Sequence, residues 1–449
     1  MTMPLYEAQR AMRATRQAAI KRGEVAVLDI GTSSIRCFVL KFDPSRQHAL
    51  AEGIGSLSGH GAFRVIGAAV NRARGVRYGE ISAMEETERA IRTVIQNAQR
   101  MANTRVDHVI ACFAGGRPRS YGIEGKVDIT GKPVGAPQIG RALASCDVPD
   151  YQDGYHEARE ALHALPVNFA IDGRSGLTDP RGQVGDELSV DMHLMTVSGG
   201  AVRNILQAIR RCDLELAGLT HSAYASGMSA LIEDEQELGA ACIDLGAGST
   251  GLSIFLRGQM IYGDALRMGG SQITGDIAQG LMVSRQVAEE VKIRHGGVLA
   301  TGLDDRDYID LPSEQGDWEH GTRQITRTEL IGVIRPRVEE ILEHVRASLD
   351  AAGFDYLPGQ RVVLTGGGSL LPGIDGLASD ILGRRVRLGH PVRVQGLPRR
   401  ASDAHFSALV GLALHAVHPQ DECWDFDLPD EIFARKPFHQ AVRWFKENW

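Results

Sequence analysis

Apolar residues recur along the chain in two patterns. Short, nearly continuous apolar runs are typical of buried strands, whereas apolar residues spaced three and four apart are typical of helices with one buried face. The predicted strands are Glu24–Leu28, Ile35–Phe42, Val106–Phe113, Val190–Val197, the apolar run that opens Ala240–Thr250, and Arg361–Leu364. The predicted helices are Glu86–Met101, Val202–Cys212 and Thr326–Leu349. Pro336 should kink the last helix.

Three segments lack this regular pattern. Between Phe113 and about Asp186 glycine and proline are frequent and the charge is mixed, which predicts an inserted subdomain. Residues 1–23 are basic and have no apolar core, so we expect a solvated, mobile terminus rather than a secretory signal. Residues 418–436 are acidic, with no Lys or Arg between His418 and Ala434, which predicts a solvated linker.

Bulk properties narrow the class of protein. A length of 449 residues predicts several packed units. The net charge of −7 argues against nucleic acid as a partner, because such binding rests on neutralising phosphates with basic residues. The six cysteines are scattered without a CxxC pair, which is typical of reduced cytosolic thiols rather than of disulfides or a zinc site. No run reaches the ~20 apolar residues that span a bilayer.

Two glycine turns share one arrangement, in which a buried strand ends in an aspartate and a glycine turn leads into a second strand. Glycine lets the backbone approach an anion, successive N–H groups point at that anion, and hydroxyls add donors, so both turns are predicted to bind phosphate. Asp29 and Asp244 are predicted to hold Mg²⁺ through water. The phosphate-binding candidates are Asp29, Gly31, Thr32, Ser33 and Ser34 in the first turn, and Gly246, Ala247, Gly248, Ser249 and Thr250 in the second.

A third glycine turn lacks the aspartate, and an apolar Leu-Leu-Pro sequence follows it, which suits a surface for adenine and ribose. Its residues are Gly366, Gly367, Gly368 and Ser369. Ahead of this turn Glu289 and Lys292 share one face of a helix, three residues apart. We expect Glu289 to bond ribose hydroxyls and the stem of Lys292 to lie along the base. Any one motif is weak, because most such turns are ordinary loops, so the prediction rests on their repetition and order.

The order of these motifs resembles the superfamily of actin, sugar kinases and heat-shock ATPases, and within it the FtsA family of bacterial cell-division proteins. The resemblance covers nearly all of Glu24–Trp449. The matching motifs include Glu237–Gly239 before the second turn, Ala288–Gly296 around the adenosine residues, and Val363–Gly367 at the third turn. The resemblance implies an α/β, actin-like fold of two lobes with ATP and Mg²⁺ in the cleft between them.

The resemblance also implies how the chain divides. Lobe 1 would comprise residues 24–106 and 187–215, interrupted by an inserted subdomain, 1C, at 107–186. Lobe 2 would comprise residues 216–417, with its subdomain 2B at about 265–345 and a final helix that returns to lobe 1.

The partners implied by the resemblance are those of a division filament. They are other copies of the chain, the C-terminal tail of the tubulin-like FtsZ, and further division proteins that contact subdomain 1C. Arg337 matches an arginine in the helix that receives the FtsZ tail, and we expect it to meet an acidic group there. As an isolated residue, Arg337 is equally consistent with a solvated helix face.

Catalysis is where the sequence departs from the superfamily. The stretch Val197–Arg203 offers neither the carboxylate nor the glutamine that acts as catalytic residue between the lobes, so we expect at most weak ATP hydrolysis. Asp244 could order a water, although holding a metal suits it better. A small-molecule kinase or phosphohydrolase of the same fold is the alternative, and rapid substrate-stimulated turnover would favour it. The scaffolds PilM and MreB fit the length, the insertion and the C-terminal helix less well.

The last residues predict an amphipathic helix at 437–449. Its apolar face and edge carry Phe438, Val442, Trp444, Phe445 and Trp449, while Arg443 and Lys446 supply positive charge. This combination favours lying in the interface of an anionic membrane. The resemblance implies that this membrane is the bacterial inner membrane, which the chain would meet from the cytoplasmic side at the division site. The alternative is a terminal helix docked on the protein's own core, which the acidic spacer disfavours.

Overall fold

A computed structural model of the chain describes residues 3–42, 63–148, 158–311 and 323–428. The predicted amphipathic helix at 437–449 and the second half of the predicted linker lie outside these residues. None of the helices in the described ranges combines the length and the apolar character that a bilayer crossing requires.

Lobe 1 is built on a five-stranded sheet with the strand order β11-β6-β1-β2-β3. In its first part the elements are α1 (Met3–Arg22), β1 (Glu24–Ile30), β2 (Ser34–Phe42), β3 (Phe63–Arg72), the short strands β4 (Val76–Arg77) and β5 (Glu80–Ile81), α2 (Met84–Ala102) and β6 (His108–Phe113). Strands β1 to β3 form an antiparallel meander, and β6 pairs with β1 in parallel. The apolar face of α2 covers one side of this sheet, as its spacing predicts.

The inserted subdomain is a four-stranded antiparallel sheet with one helix against it. Its elements are β7 (Arg119–Asp128), α3 (Ala136–Ser145), β8 (Arg159–Ile171), β9 (Arg174–Leu177) and β10 (Glu187–Ser198), and the strand order is β7-β10-β8-β9. It has a hydrophobic core of its own, in which apolar residues of the helix pack against apolar residues of the sheet. After it, α4 (Gly199–Arg211) and β11 (Glu215–His221) complete lobe 1.

Lobe 2 repeats the sheet of lobe 1, with the order β14-β13-β12-β17-β18. Its elements are α5 (Ser222–Ala230), α6 (Glu233–Leu238), β12 (Ala240–Leu245), β13 (Thr250–Leu256), β14 (Gln259–Leu266), α7 (Gly270–Gly280), α8 (Arg285–His295), β15 (Tyr308–Leu311), β16 (Arg323–Thr326), α9 (Arg327–Ala351), β17 (Arg361–Thr365), α10 (Ile374–Leu382), β18 (Val386–Leu388) and α11 (Ser407–Val417). Strands β12 to β14 are an antiparallel meander and β17 pairs with β12 in parallel, as β6 does with β1. The predicted α/β fold of two lobes with an insertion is therefore confirmed.

Two helices that are apolar on nearly every side lie between the sheets. Helices α5 and α11 consist almost wholly of buried residues, which is expected of a helix that is covered all round. Gly411 of α11 lies so close to the carbonyl oxygen of Ala225 in α5 that a side chain would not fit there. Leu409 of α11 packs in one cluster with Phe38 of the lobe 1 sheet, so the last helix returns to lobe 1.

The predicted bounds of the insertion, 107–186, are wrong at both ends. Strand β6 pairs with β1 and β11 and so belongs to lobe 1. Strand β10, which was assigned to lobe 1, pairs along its length with β7 and β8 of the insertion. The insertion thus runs from after Phe113 to Ser198. The change in composition after Phe113 agrees with the structural start of the insertion. At the other end, the apolar run of β10 predicted a strand but not which sheet that strand joins, so the end of the insertion was misplaced.

The expected solvated terminus at 1–23 is also wrong. Residues Met3–Arg22 form helix α1, whose Met12 packs with the core under lobe 1 and whose Ala19 is fully buried on the other face of the sheet. Arg16 is buried as well, with its guanidinium 3.4 Å from Nε2 of His415. The basic composition of this segment therefore suggested a solvated terminus, although the segment forms a helix with a narrow apolar face.

The first half of the predicted linker at 418–436 does not lie in solvent either. Cys423 and Trp424 are buried in the core of the inserted subdomain. Glu422 is buried too and accepts a hydrogen bond from the backbone N–H of Ala164 at 2.8 Å. The acidic side chains near these residues form ion pairs with arginines of α1, so the acidic composition of this segment serves ion pairing as well as exposure to solvent.

Candidate functional site

The first two glycine turns close in the same way. In the turn after β1, the N–H of Gly31 donates to the carbonyl oxygen of Ser34 at 3.2 Å. In the turn after β12, the N–H of Gly246 donates to the carbonyl oxygen of Ser249 at 3.0 Å. A side chain at Gly31 would come within 2.9 Å of its closing carbonyl oxygen, so glycine is what allows this turn. The repeated sequence pattern therefore produces one local structure twice.

These two turns face one another across the gap between the lobes. A Cβ atom added to Gly248 would collide with Oγ1 of Thr32 and would lie 2.8 Å from both Cβ and Cγ2 of the same residue. The Thr32 hydroxyl in turn accepts a hydrogen bond of 2.9 Å from the N–H of Gly79 in the β4–β5 turn. Both turns line one cleft with a volume of about 630 Å³. The central expectation, that two distant turns share one cavity, holds in this geometry.

The third glycine turn follows β17 and lies beside the second. Gly366 has a φ of 82°, a left-handed conformation that favours glycine, and a side chain there would collide with Oδ1 of Asp244. Gly368 is similarly close to Leu245, where an added Cβ would lie 2.9 Å from the leucine Cβ. Gly366, Gly367 and Gly368 line the cleft together with Leu370, Leu371 and Pro372. This provides the flat apolar surface expected for a nucleobase.

Glu289 and Lys292 lie on α8, at the same end of the cleft. The Lys292 ammonium group donates to Oε2 of Glu289 at 2.7 Å, to Oγ1 of Thr274 at 2.9 Å and to the carbonyl oxygen of Gly270 at 3.1 Å. The Thr274 hydroxyl also donates to Glu289. The pair is thus fixed against the start of α7. A carboxylate held in this way can accept bonds from hydroxyl groups, as those of a ribose.

The two aspartates lie in different electrostatic surroundings. Asp29 Oδ2 accepts a hydrogen bond of 2.8 Å from the Arg36 guanidinium, and Asp29 Oδ1 accepts a longer one, 3.6 Å, from the Cys112 thiol. Asp244 accepts a 2.5 Å hydrogen bond from the Ser226 hydroxyl. Burial raises the pKa of Asp244 from 3.8 to about 6, and the negative charge of Asp29 adds to this effect. The site therefore presents concentrated negative potential that a cation would relieve.

Two predicted binding residues do not line the cleft. The hydroxyl of Thr250 is buried and donates to the carbonyl oxygen of Met268 at 2.9 Å. The hydroxyl of Ser369 is buried and donates to the carbonyl oxygen of Gly366 at 2.7 Å. Both side chains stabilise their turns from behind, so their assignment as ligand contacts is wrong. The backbone conformation of a strand or turn decides which way each side chain points, and a sequence motif alone does not show this direction.

The sequence interpretation missed residues of the cleft that lie outside the motifs. They include Arg36, Ser222, Ile293, His405 and Phe406. Arg36 stands opposite Asp29 in the β1–β2 pairing, and its guanidinium lies 5.6 Å from the centre of the Phe406 ring. An arginine within the apolar run of β2 was a signal that could have been followed. His405 and Phe406 come from the loop before α11 and carry no motif.

Arg337, the predicted contact for an acidic tail, already has acidic neighbours. Arg337 lies on α9 and forms a bidentate ion pair with Asp276 of α7, in which Nε is 2.6 Å from Oδ2 and Nη2 is 3.1 Å from Oδ1. It forms a further ion pair with Glu340. Its side chain is 28% exposed, so part of that side chain remains accessible. The solvated helix face considered from the sequence is therefore not what the structure has. Any acidic ligand at this point would have to share Arg337 with Asp276.

The cleft suits a nucleoside triphosphate with its magnesium ion. Ser34 Oγ is buried in the first turn without a hydrogen-bond partner among the described residues, and a phosphate oxygen would provide one. The part of the chain that the structure describes contains no group of three His, Cys, Asp or Glu side chains that could bind a metal ion without further ligands. Two aspartates are nevertheless sufficient for Mg²⁺, which keeps several waters and is commonly shared with phosphates.

Comparisons with known families agree with this geometry. The family model described as "Cell division protein FtsA" matches residues 241–411, and the model "SHS2 domain inserted in FTSA" matches residues 115–196. The second match coincides closely with the structural bounds of the insertion. The chain is also similar to the cell division protein FtsA of Agrobacterium fabrum, with 37% identity over 391 residues, covering 87% of this chain and 86% of the relative.

Solved structures share the fold at much lower identity. The chain is similar to a chain of the PilM–PilN type IV pilus biogenesis complex, with a TM-score of 0.58, 19% identity and coverage of 89% of this chain and 100% of that one. It is also similar to MreB5 of Spiroplasma citri bound to ADP, with a TM-score of 0.52, 14% identity and coverage of 88% and 96%. These likenesses establish an actin-like fold.

Proposed function

The chain belongs to the family of the cell division protein FtsA, and on this premise we propose that it is an ATP-binding, actin-like protein that polymerises and tethers FtsZ filaments to the cytoplasmic membrane. In this role it works at the cytoplasmic face of the inner membrane, at the division site, and recruits further division proteins through the inserted subdomain. The observation that carries the nucleotide part of the proposal is the common cleft lined by both aspartate-headed turns.

The lining residues divide the work of binding ATP. The backbone N–H groups of the first two turns, with the hydroxyls of Thr32 and Ser34, bind the phosphates. The third turn and Leu371 receive the adenine, and Glu289 accepts bonds from the ribose. Asp29 and Asp244 would hold Mg²⁺ through water, and the ion would neutralise charge on the phosphates. MreB5, which has the same fold at low identity, was solved with ADP bound, and this supports a nucleotide as the ligand class.

Hydrolysis is expected to be slow. A general base must be free to accept a proton from the attacking water. Among the described residues that line the cleft, the carboxylates are Asp29, Asp244 and Glu289, and each is engaged, by Arg36, Ser226 and Lys292 respectively. This arrangement suits a protein that uses the nucleotide for assembly better than it suits a small-molecule kinase.

Membrane attachment is proposed from the sequence of residues 437–449. Full burial of one large apolar side chain contributes about 1.5–3 kcal/mol, and immersion in the interface is only partial. Ordering the helix opposes binding. One copy should therefore bind weakly and reversibly, whereas many copies in one filament should bind together because each later insertion is intramolecular.

The FtsZ tail is proposed to dock beside Arg337, in subdomain 2B. The partly exposed side chain of Arg337, whose guanidinium is held in position by Asp276, supports this, because a fixed arginine loses less freedom when it binds a carboxylate. The acidic neighbours also make the contact selective, since only a ligand with well-placed carboxylates can compete for Arg337.

The test is co-sedimentation of the full chain with vesicles of anionic lipid and with a peptide of the FtsZ tail, with and without ATP. The proposal predicts that the full chain pellets with vesicles and brings the peptide with it, more strongly with ATP. A chain truncated before Phe438 should stay in the supernatant while still binding the peptide. Membrane binding that survives this truncation, in the absence of other proteins, would refute the tethering proposal.

A further inference from the structure

The segment that follows α11 crosses from lobe 1 to the inserted subdomain. We call residues 419–428 the strap. Cys423 and Trp424 are buried in the core of the inserted subdomain, where they pack with residues of α3, β8 and β10. The backbone of Asp427 lies directly against α3, because a Cβ atom added to Gly140 would collide with its carbonyl oxygen. The strap therefore contacts the inserted subdomain in two ways, through its backbone at Asp427 and through the buried side chains of Cys423 and Trp424.

Glu422 connects the strap to both bodies at once. Its carboxylate accepts hydrogen bonds from the N–H of Ala164 at 2.8 Å and from Nδ1 of His163 at 3.1 Å, both on β8 of the inserted subdomain. Nε2 of the same histidine accepts a hydrogen bond of 3.2 Å from the N–H of His221, at the end of β11 in lobe 1. A buried carboxylate of the strap thus holds a buried histidine whose other nitrogen bonds lobe 1.

Helix α1 holds the other side of the strap. Arg13 pairs with Asp425 and lies 3.9 Å from Asp421, and Arg10 pairs with Asp427 at 3.0 Å. Helix α1 itself packs against β11 of lobe 1. Basic residues of the N-terminal helix therefore meet acidic residues of the strap in a complementary row.

We propose that the strap is a releasable clamp, which fixes the inserted subdomain to lobe 1 and so couples that subdomain to the C-terminal end of the chain. Release is feasible because several of its ion pairs are open to solvent: Asp427 is 83% exposed and Asp421 is 64% exposed, and pairs of this kind contribute little. The buried contacts of Glu422, Cys423 and Trp424 hold the clamp closed.

The consequence for assembly rests on the proposed function. Eight residues, 429–436, separate the strap from the predicted membrane helix. Tension on an attached tail would act first on the strap and through it on the inserted subdomain, the surface proposed for neighbouring subunits and division proteins. The clamp itself involves only this chain and is tested without membrane, nucleotide or partner.

The test uses the natural cysteines of the full-length protein as reporters. Alkylation of each thiol by a maleimide is followed by mass spectrometry in the wild type, in Gly140→Ala and in Gly332→Ala. Alanine favours a helix over glycine at both sites, but only at Gly140 does it press on the strap, because the space around Gly332 is open. Hydrogen exchange at Gly116 and Ser198, where the subdomain joins lobe 1, is measured in parallel.

The clamp predicts that Gly140→Ala raises the alkylation rate of Cys423 roughly tenfold, since the rate for a buried thiol tracks the population of the open state. Exchange at the joint should also quicken, while Cys37 and Cys112, in the core of lobe 1, stay unreactive. Gly332→Ala should behave as the wild type. An unchanged Cys423 rate, or a faster one without faster exchange at the joint, would overturn the proposal.

A second pair of variants decides the matter if Gly140→Ala does not fold. Arg13→Glu places a negative charge against Asp425 and should release the strap, whereas Arg13→Lys keeps the positive charge and should leave the strap closed. Equal Cys423 reactivity in the wild type and in Arg13→Glu would contradict the clamp. Failure of ATP or membrane binding would not affect this result, so the two proposals stand or fall separately.

Discussion

Replacing Gly248 by alanine should weaken nucleotide binding without unfolding the protein. The new Cβ would collide with Oγ1 of Thr32 and lie 2.8 Å from its Cβ and Cγ2, whereas ordinary contact begins near 3.4 Å, so the two phosphate turns must separate by at least about half an ångström. Neither turn can yield easily. Thr32 is held by the N–H of Gly79, and the second turn is held by hydrogen bonds from Gly270 and Ser271.

The size of the effect follows from this displacement. A misplacement of 1 Å in a preorganised site can cost on the order of a hundredfold, so about half of that shift should cost roughly tenfold in affinity. This corresponds to about 1.4 kcal/mol. The assay is a titration with a fluorescent ATP analogue, with the melting temperature as a check on folding. Gly302→Ala, where an added Cβ meets open space, is the matched control and should bind as the wild type.

The role of Thr32 is tested by a double-mutant cycle. In a Thr32→Ala background the crowding atoms Oγ1 and Cγ2 are gone and only Cβ remains, so Gly248→Ala should cost clearly less than it does in the wild type. Wild-type affinity in Gly248→Ala would refute the reasoning, because it would mean that the two turns do not grip one ligand. An equal loss in both backgrounds would refute the steric explanation.

Two further predictions concern buried and paired charges. The pKa of Asp244 in the folded chain, about 6, lies above its usual value of 3.8, so the free energy of unfolding of the wild type in metal-free buffer should fall as pH rises from about 4 to 6. Asp244→Asn should remove this fall. Above pH 6 the variant should be more stable than the wild type by up to about 3 kcal/mol, measured by urea unfolding. A wild type that gains stability over that pH range relative to Asp244→Asn would contradict the burial argument. Arg337→Glu should reduce binding of an FtsZ tail peptide at least tenfold in fluorescence anisotropy, since the attraction becomes a repulsion.

The site could be predicted from the sequence because its signals are local. A buried strand, an aspartate and a glycine turn follow one another within the 11 residues of Glu24–Ser34 and again within Ala240–Thr250, and backbone sterics then fix the turn. The unit is repeated at Asp29 and Asp244, and the structure shows that the sheet around it is repeated as well. Elements with strong periodicity, such as α2 and α9, also agree with the structure, and Thr326 and Glu329 cap α9 reciprocally as their spacing indicates.

What could not be predicted depends on contacts that are distant along the chain. The strand pattern of β10 is clear, but only pairing shows that it joins the insertion. The acidic segment after α11 was interpreted from its charge, although Trp424 among acidic residues was a sign of burial. Charge patterns gave no indication that Arg13 and Asp425, four hundred residues apart, form a pair.

The most direct test is a structure determined with Mg²⁺ and a non-hydrolysable ATP analogue. We predict density for one triphosphate touching both the Thr32 turn and the Gly248 turn, with the base against Gly367 and Leu371. A triphosphate bound by one turn alone, or bound away from the cleft, would contradict the account.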